Sequence, residues 1–174
     1  MNLGSFILEI VIILISIGLF VYLKKFETKA KKKFIILFLA VLLFEIMSEP
    51  MWVNHQFNSW AYLYGNVSWI VTLGWVSIFF VSFLIVDKLI FNNKKASEKI
   101  KFWLYLLVVT IITVPIESLL LKYGFRSYSS ALTDTFSGIL IPLTRVPIEV
   151  LIAVPMIAAL IIPFYKYLSD LSIK

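Results

Sequence analysis

Five long apolar runs, set apart by clusters of lysine, leave this chain few folds to adopt. They lie at about 6–23, 34–53, 67–86, 102–121 and 145–165. A helix needs about 20 mostly apolar residues to cross the ~30 Å hydrocarbon core of a bilayer. With 61% apolar and only 15% charged residues, and a mean hydropathy of +0.97, the chain holds more hydrocarbon than a soluble domain can hide. Ordinary soluble domains run near ~45–50% apolar and ~25% charged. The expected fold is one all-α polytopic bundle of about five transmembrane helices over residues 1–174. The stretch 136–165 exceeds one straight span, and the four prolines Pro142, Pro147, Pro155 and Pro163 interrupt it. Residues 136–144 are therefore expected to form an interfacial or re-entrant lead-in, a sixth short span being the alternative. No basic segment precedes the first run, so it reads as a retained helix and not a cleaved signal.

Orientation follows from the lysines. Lys24, Lys25, Lys29, Lys31, Lys32 and Lys33 separate the first two runs, and Lys88, Lys94, Lys95, Lys99 and Lys101 separate the third and fourth. Those eleven are most of the 16 basic residues. An odd number of spans puts both groups on one side, which the positive-inside rule makes cytoplasmic. The N-terminus is then expected outside and the C-terminus inside, in the cell membrane. The positive charge thus reads as a topology signal with affinity for anionic membrane lipid, and nucleic acid is not an expected partner. A homo-oligomer or a larger membrane complex stays open. With no cysteine and the single histidine His55, a metal site of the usual nitrogen and sulfur ligands is not expected, nor is a cofactor.

Ionisable groups inside a membrane are costly, which makes each a functional candidate. Glu45 and Glu49 stand four apart near the outer end of the second run, Glu117 lies in the outer third of the fourth, and Glu149 follows Arg145 by one turn. Glu117, Glu149 and Glu49 are the candidate catalytic carboxyls, expected to share one hollow at similar depth. Glu45, Arg145, Trp69, Trp75 and Tyr128 are the candidate substrate contacts. Glu9 is expected to reach the interface, and Asp87 to be solvated. Ser68, Thr72, Trp75 and Ser82 recur at helical spacing, as do Thr110, Thr113 and Glu117, describing either helix contacts or a cavity wall.

The tetrapeptide Val-Pro-Ile-Glu occurs twice, at 114–117 and 146–149, and Ser48-Glu49-Pro50 closes the second run. Pro115-Ile116-Glu117-Ser118 and Pro147-Ile148-Glu149-Val150 resemble the Pro-x-Glu-Glu motif of the small lycopene-cyclase-type subunits, here without the second carboxylate. Glu117, Gly124, Phe125 and Tyr128 are similar in order to the intramembrane Glu and following Gly-Phe and Tyr of the carotenoid hydratases. The resemblance implies a hydrophobic isoprenoid or polyene substrate, protonated by a buried carboxylic acid. Glu117 or Glu149 would give the proton, and Trp69, Trp75 or Tyr128 would steady the carbocation. A small ion-coupled carrier, or a non-catalytic subunit that docks a partner through its outer aromatic loops, are the alternatives from the residues alone.

Overall fold

A computed structural model describes residues 3–26, 29–91, 97–142, 144 and 146–173, with the side chains of 172 and 173 left aside. It is an all-α bundle of long helices with a small amount of sheet at one end. Helix α1 covers Leu3–Phe26, α2 Ala30–Met47 and α3 Trp69–Leu84. The last runs directly into a π-helical turn at Ile85–Ile90. Helix α4 covers Glu98–Lys122, α5 is the single turn Ser130–Thr133, and α6 covers Val150–Ile173.

Four of these helices, α1, α3 with its π turn, α4 and α6, are long and apolar enough to cross a membrane. Helix α2 differs because Lys31, Lys32, Lys33 and Glu45 bracket its apolar middle. The second run was expected to reach residue 53 but leaves the helix at Met47. Pro50 lacks the amide that would continue the ladder, and a 3-10 turn at Glu49–Met51 follows. The final helix begins at Val150, later than the expected 145. Among the described residues of 136–149 there is no spanning helix, only turns closed by a bridge between Leu140 and Pro147.

Burial runs inside out. The buried residues of α1 are Ser5, Glu9 and Ser16, while Leu3, Ile7, Val11, Leu14, Ile15 and Ile17 are exposed. A water-soluble helix buries its aliphatics and exposes its polar groups. Here the polar stripe packs inward, where the Ser16 and Ser77 hydroxyls meet at 2.8 Å. This is the pattern of a membrane protein, in which small polar residues join helices and hydrocarbon faces lipid.

Contacts sort the helix ends into two groups. Glu9 near the start of α1 bonds Asn58, and His55 bonds Ser127, so residues near 9, 45–69 and 117–150 share one end. Lys88 lies over Phe26, and Glu98 pairs with Lys166, so the ends of α1, α3 and α6 and the start of α4 share the other. Successive long helices therefore alternate in direction. Two antiparallel pairs cap the first end: β1 (Trp52–Asn54) with β4 (Arg126–Tyr128), and β2 (Tyr62–Tyr64) with β3 (Val67–Ser68). The main core joins α2, α3, α4 and α6 through Leu37, Val41, Phe79, Val109, Ala158 and Ile162. A smaller one, of Phe57, Ala61, Ile70 and Val71, seats the capping loop on α1 and α3.

Candidate functional site

Helix α4 ends at Lys122, and the turn through Gly124, at φ +72°, returns the chain as β4 against β1. That reversal sets Arg126 and Tyr128 over the last turns of α4. The Arg126 guanidinium meets Glu117 Oε2 at 3.3 Å, and the Tyr128 hydroxyl donates to Glu117 Oε1 at 3.0 Å. Arg126 Nε donates to Asn54 Oδ1 at 3.1 Å, and its cation lies 5.2 Å from the centre of the Trp52 ring. Glu117 and Arg126 are about 95% buried, so each charge is neutralised by the other and not by water. Burial first, and the Glu117 charge second, raise the Tyr128 phenol above its ordinary value, which keeps it a proton donor.

Behind this cluster stands Glu45, buried on α2 and within electrostatic reach of both Arg126 and Glu117. Among the described residues neither of its oxygens has a hydrogen-bond partner, and Arg126 Nη2 and the Thr113 hydroxyl are likewise unmatched. Buried polar groups are nearly always paired, so this cluster of unmatched atoms marks the polar centre of the bundle.

A cavity of about 280 Å³ lies beside the cluster, between α1, α3 and α4. Leu8, Ile12, Ile78 and Ile112 form its sides, Trp75 faces it, and Glu117, Thr113 and Arg126 stand at its polar end. Its surface is almost entirely hydrocarbon, because the charged atoms of Glu117 and Arg126 are turned toward each other. The volume sits at the lower edge of the ~300–1,000 Å³ typical of small-molecule pockets.

Of the expected site residues, Glu117, Glu45 and Tyr128 come together here, and Trp75 lines the cavity. Glu49 and Glu149 do not join them. Glu49 accepts hydrogen bonds from the Asn66 amide and side chain at 3.1 and 3.0 Å, closing the β2–β3 turn. Gly65 (φ +49°) leaves room for that carboxylate, since an added Cβ would stand 2.6 Å from Glu49 Oε1. Glu149 accepts from the Ser137 amide at 2.6 Å in the segment before α6. The shared hollow expected for the three acids is thus not formed, because Glu49 and Glu149 lie beyond their helices. Trp69 packs edge-on against Trp60 at 5.3 Å and donates to its carbonyl, steadying the loop. Arg145 lies outside the described residues, and with it the expected pair to Glu149.

Two residues matter more than their sequence context indicated. Arg126, one of only two arginines, is the cation that Glu117 meets. Glu9 does not reach toward water: it is fully buried and accepts from the Asn58 amide at 2.6 Å and its side chain at 2.9 Å. Asp87 is half-buried and bonds both Lys101 and Tyr105. Of the two polar stripes, Thr72, Ser82 and Thr110 return their hydroxyls to carbonyls four residues back.

No family model, curated protein or solved structure matches this chain.

Proposed function

We propose that the protein crosses the cell membrane five times, with the capping loops outside, and binds a hydrophobic isoprenoid or polyene lipid in the cavity between α1, α3 and α4. We infer further that Glu117 exchanges a proton with that lipid. One observation carries the reading: Glu117 is the only acid among the described residues lining a cavity whose walls are mostly hydrocarbon. A lipid end seated there would lie against the Trp75 ring, whose face can steady a developing cation.

Glu117 accepts hydrogen bonds on both oxygens, so to take up a proton it would first have to release Arg126 or Tyr128. Giving a proton to a double bond would require the neutral acid, released from Arg126. No cofactor or metal is called for.

Extraction in mild detergent followed by mass spectrometry of retained lipids tests the binding claim. A polyene or prenyl lipid held by the wild-type protein is the expected result, and a lipid-free protein would remove it. Glu117→Gln keeps the shape of the side chain and should retain the lipid while ending its conversion. Continued product formation by that variant would take Glu117 out of the chemistry.

A second reading has its own support. Trp60, Leu63 and Tyr64 on the capping loop are exposed, and such aromatics suit a protein partner as well as the membrane interface. A stoichiometric partner in the same extract, without lipid, would favour a non-catalytic subunit. The ion-carrier alternative has less behind it, since Glu49 and Glu149 are tied to loop amides.

A further inference from the structure

A second hollow, larger than the cavity beside Glu117, lies at the opposite end, among the lysines. It measures about 680 Å³ and opens where α1, α2, α3, α4 and α6 converge. Phe80, Phe83 and Leu84 give it a hydrocarbon floor, and Lys88, Lys101 and Lys166 stand around it from three different elements. The π turn contributes to this geometry. Its i→i+5 hydrogen bond, from the Phe91 amide to the Val86 carbonyl at 3.1 Å, widens the helix, and Asp87 and Lys88 both lie within it. Turns of this kind are rare and recur at functional sites.

Four lysines (Lys33, Lys88, Lys101, Lys166) and three acids (Asp87, Glu98, Asp170) are among its lining residues, an excess of one positive charge. Lys101 pairs with Asp87 at 3.0 Å and Lys166 with Glu98 at 2.7 Å, but these pairs are partly open to solvent. Pairs of that kind are weak and exchange partners readily. Lys88 has no carboxylate partner among the described residues, and its ammonium rests 3.5 Å from the centre of the Phe26 ring. The lining hydroxyl of Ser169 is buried and unmatched. Hydrocarbon floor, cationic rim and unmatched donors describe the complement of an amphiphile with an anionic head.

We propose that this hollow is a binding site for a phosphate ester, held by Lys88, Lys101 and Lys166 with its apolar portion against Phe80 and Phe83. The site is independent of Glu117 and stands or falls without it. The phosphate could be carried by a membrane lipid or by a soluble ester, and the two are separable.

The test uses the full chain in detergent with native mass spectrometry and thermal shift. Phosphatidic acid is compared with diacylglycerol, which has the same tails and lacks only the phosphate, and glycerol phosphate serves as the soluble arm. Binding of phosphatidic acid but not diacylglycerol is expected, as a single copy per chain. Each lysine near an anionic group contributes about fivefold, so K88A/K166A should weaken binding by roughly tenfold or more. K88R/K166R should restore it, which shows the effect is charge and not misfolding. The control K31A/K99A, at the same end but outside the hollow, should change affinity by less than about twofold. Tighter binding of glycerol phosphate than of the lipid would assign the site to a soluble ester. Equal losses in the two alanine pairs, or equal binding of diacylglycerol, would overturn the proposal.

Discussion

The Tyr128 hydroxyl donates to Glu117 Oε1 at 3.0 Å, joining the strand β4 to the last turns of α4. Two residues earlier in the same strand, Arg126 takes the other oxygen. One carboxylate therefore fixes the helix, the strand and, through Asn54, the partner strand β1. Glu117, Arg126, Tyr128 and Asn54 thus join α4 and the β1–β4 pair into a single hydrogen-bonded unit.

Removing its cation should be severe. Breaking a buried ion pair by deleting one partner strands the other charge and costs about 3–5 kcal/mol. Arg126→Ala is expected to lower the thermal midpoint in mild detergent sharply, with Arg126→Lys intermediate because it loses the bond to Asn54. A wild-type melting curve for Arg126→Ala would show that Glu117 is satisfied some other way.

Tyr128 gives a signature at alkaline pH. Its pKa is raised by burial first and by the Glu117 charge second, so the folded state holds this proton more tightly than the unfolded chain, whose tyrosine titrates near ~10. The stabilisation is fully present below about pH 10 and is lost as pH climbs toward the folded value. Melting curves from pH 8 to 11 should show a loss above about pH 10 that Tyr128→Phe reduces. Parallel curves for the two proteins would remove Tyr128 as the titrating group.

The helices were legible in the sequence because apolar length is enough to define them, and Glu117 stood out as a carboxyl inside a span. Its partner did not. Arg126 lies nine residues on, beyond a turn, where helical periodicity says nothing about direction. Glu49 and Glu149 were read at the depth of Glu117 by counting along the chain, but both fall outside helices, so depth did not become proximity. Glu9 was hidden by a rule that acids near a helix end reach for water. Its partner Asn58 comes from a loop that seats itself only through tertiary packing of Phe57 and Ala61. The π turn at 85–90 has no apolar pattern of its own.

Glu9 yields a prediction where its two readings differ. A hydrogen bond to a charged group contributes about 1.5–3 kcal/mol, and Glu9 accepts two from Asn58. Glu9→Ala should release the loop around Phe57–Ala61 and speed hydrogen exchange of the Asn58 amide. An acid that merely reached the membrane surface would leave that exchange unchanged.

Gly74 separates the cavity from the fold. It lines the cavity, and a Cβ built there would meet only Ile12 Cγ2 at 3.9 Å, an ordinary contact. Gly74→Ala should fold at least as well as wild type, since alanine favours a helix by about 1 kcal/mol over glycine. Gly74→Leu should fill the hollow and expel bound lipid while the protein stays folded. Undiminished lipid in Gly74→Leu would place the lipid elsewhere on the molecule.

The absence of cysteine lets topology be read directly, because any thiol is one that was introduced. Ser59 is exposed on the capping end, and Lys31 is exposed at the opposite end near the start of α2. Lysines concentrate on the cytoplasmic side of membrane proteins, and the alternating helices put the clusters around Lys31 and Lys99 at one end. A membrane-impermeant maleimide added to intact cells should therefore label Ser59→Cys and leave Lys31→Cys unlabelled until the membrane is opened. Labelling of both in intact cells would mean that α2, the helix between them, does not span. Labelling of Lys31→Cys alone would invert the protein, and the cavity beside Glu117 would then belong to the cytoplasmic leaflet.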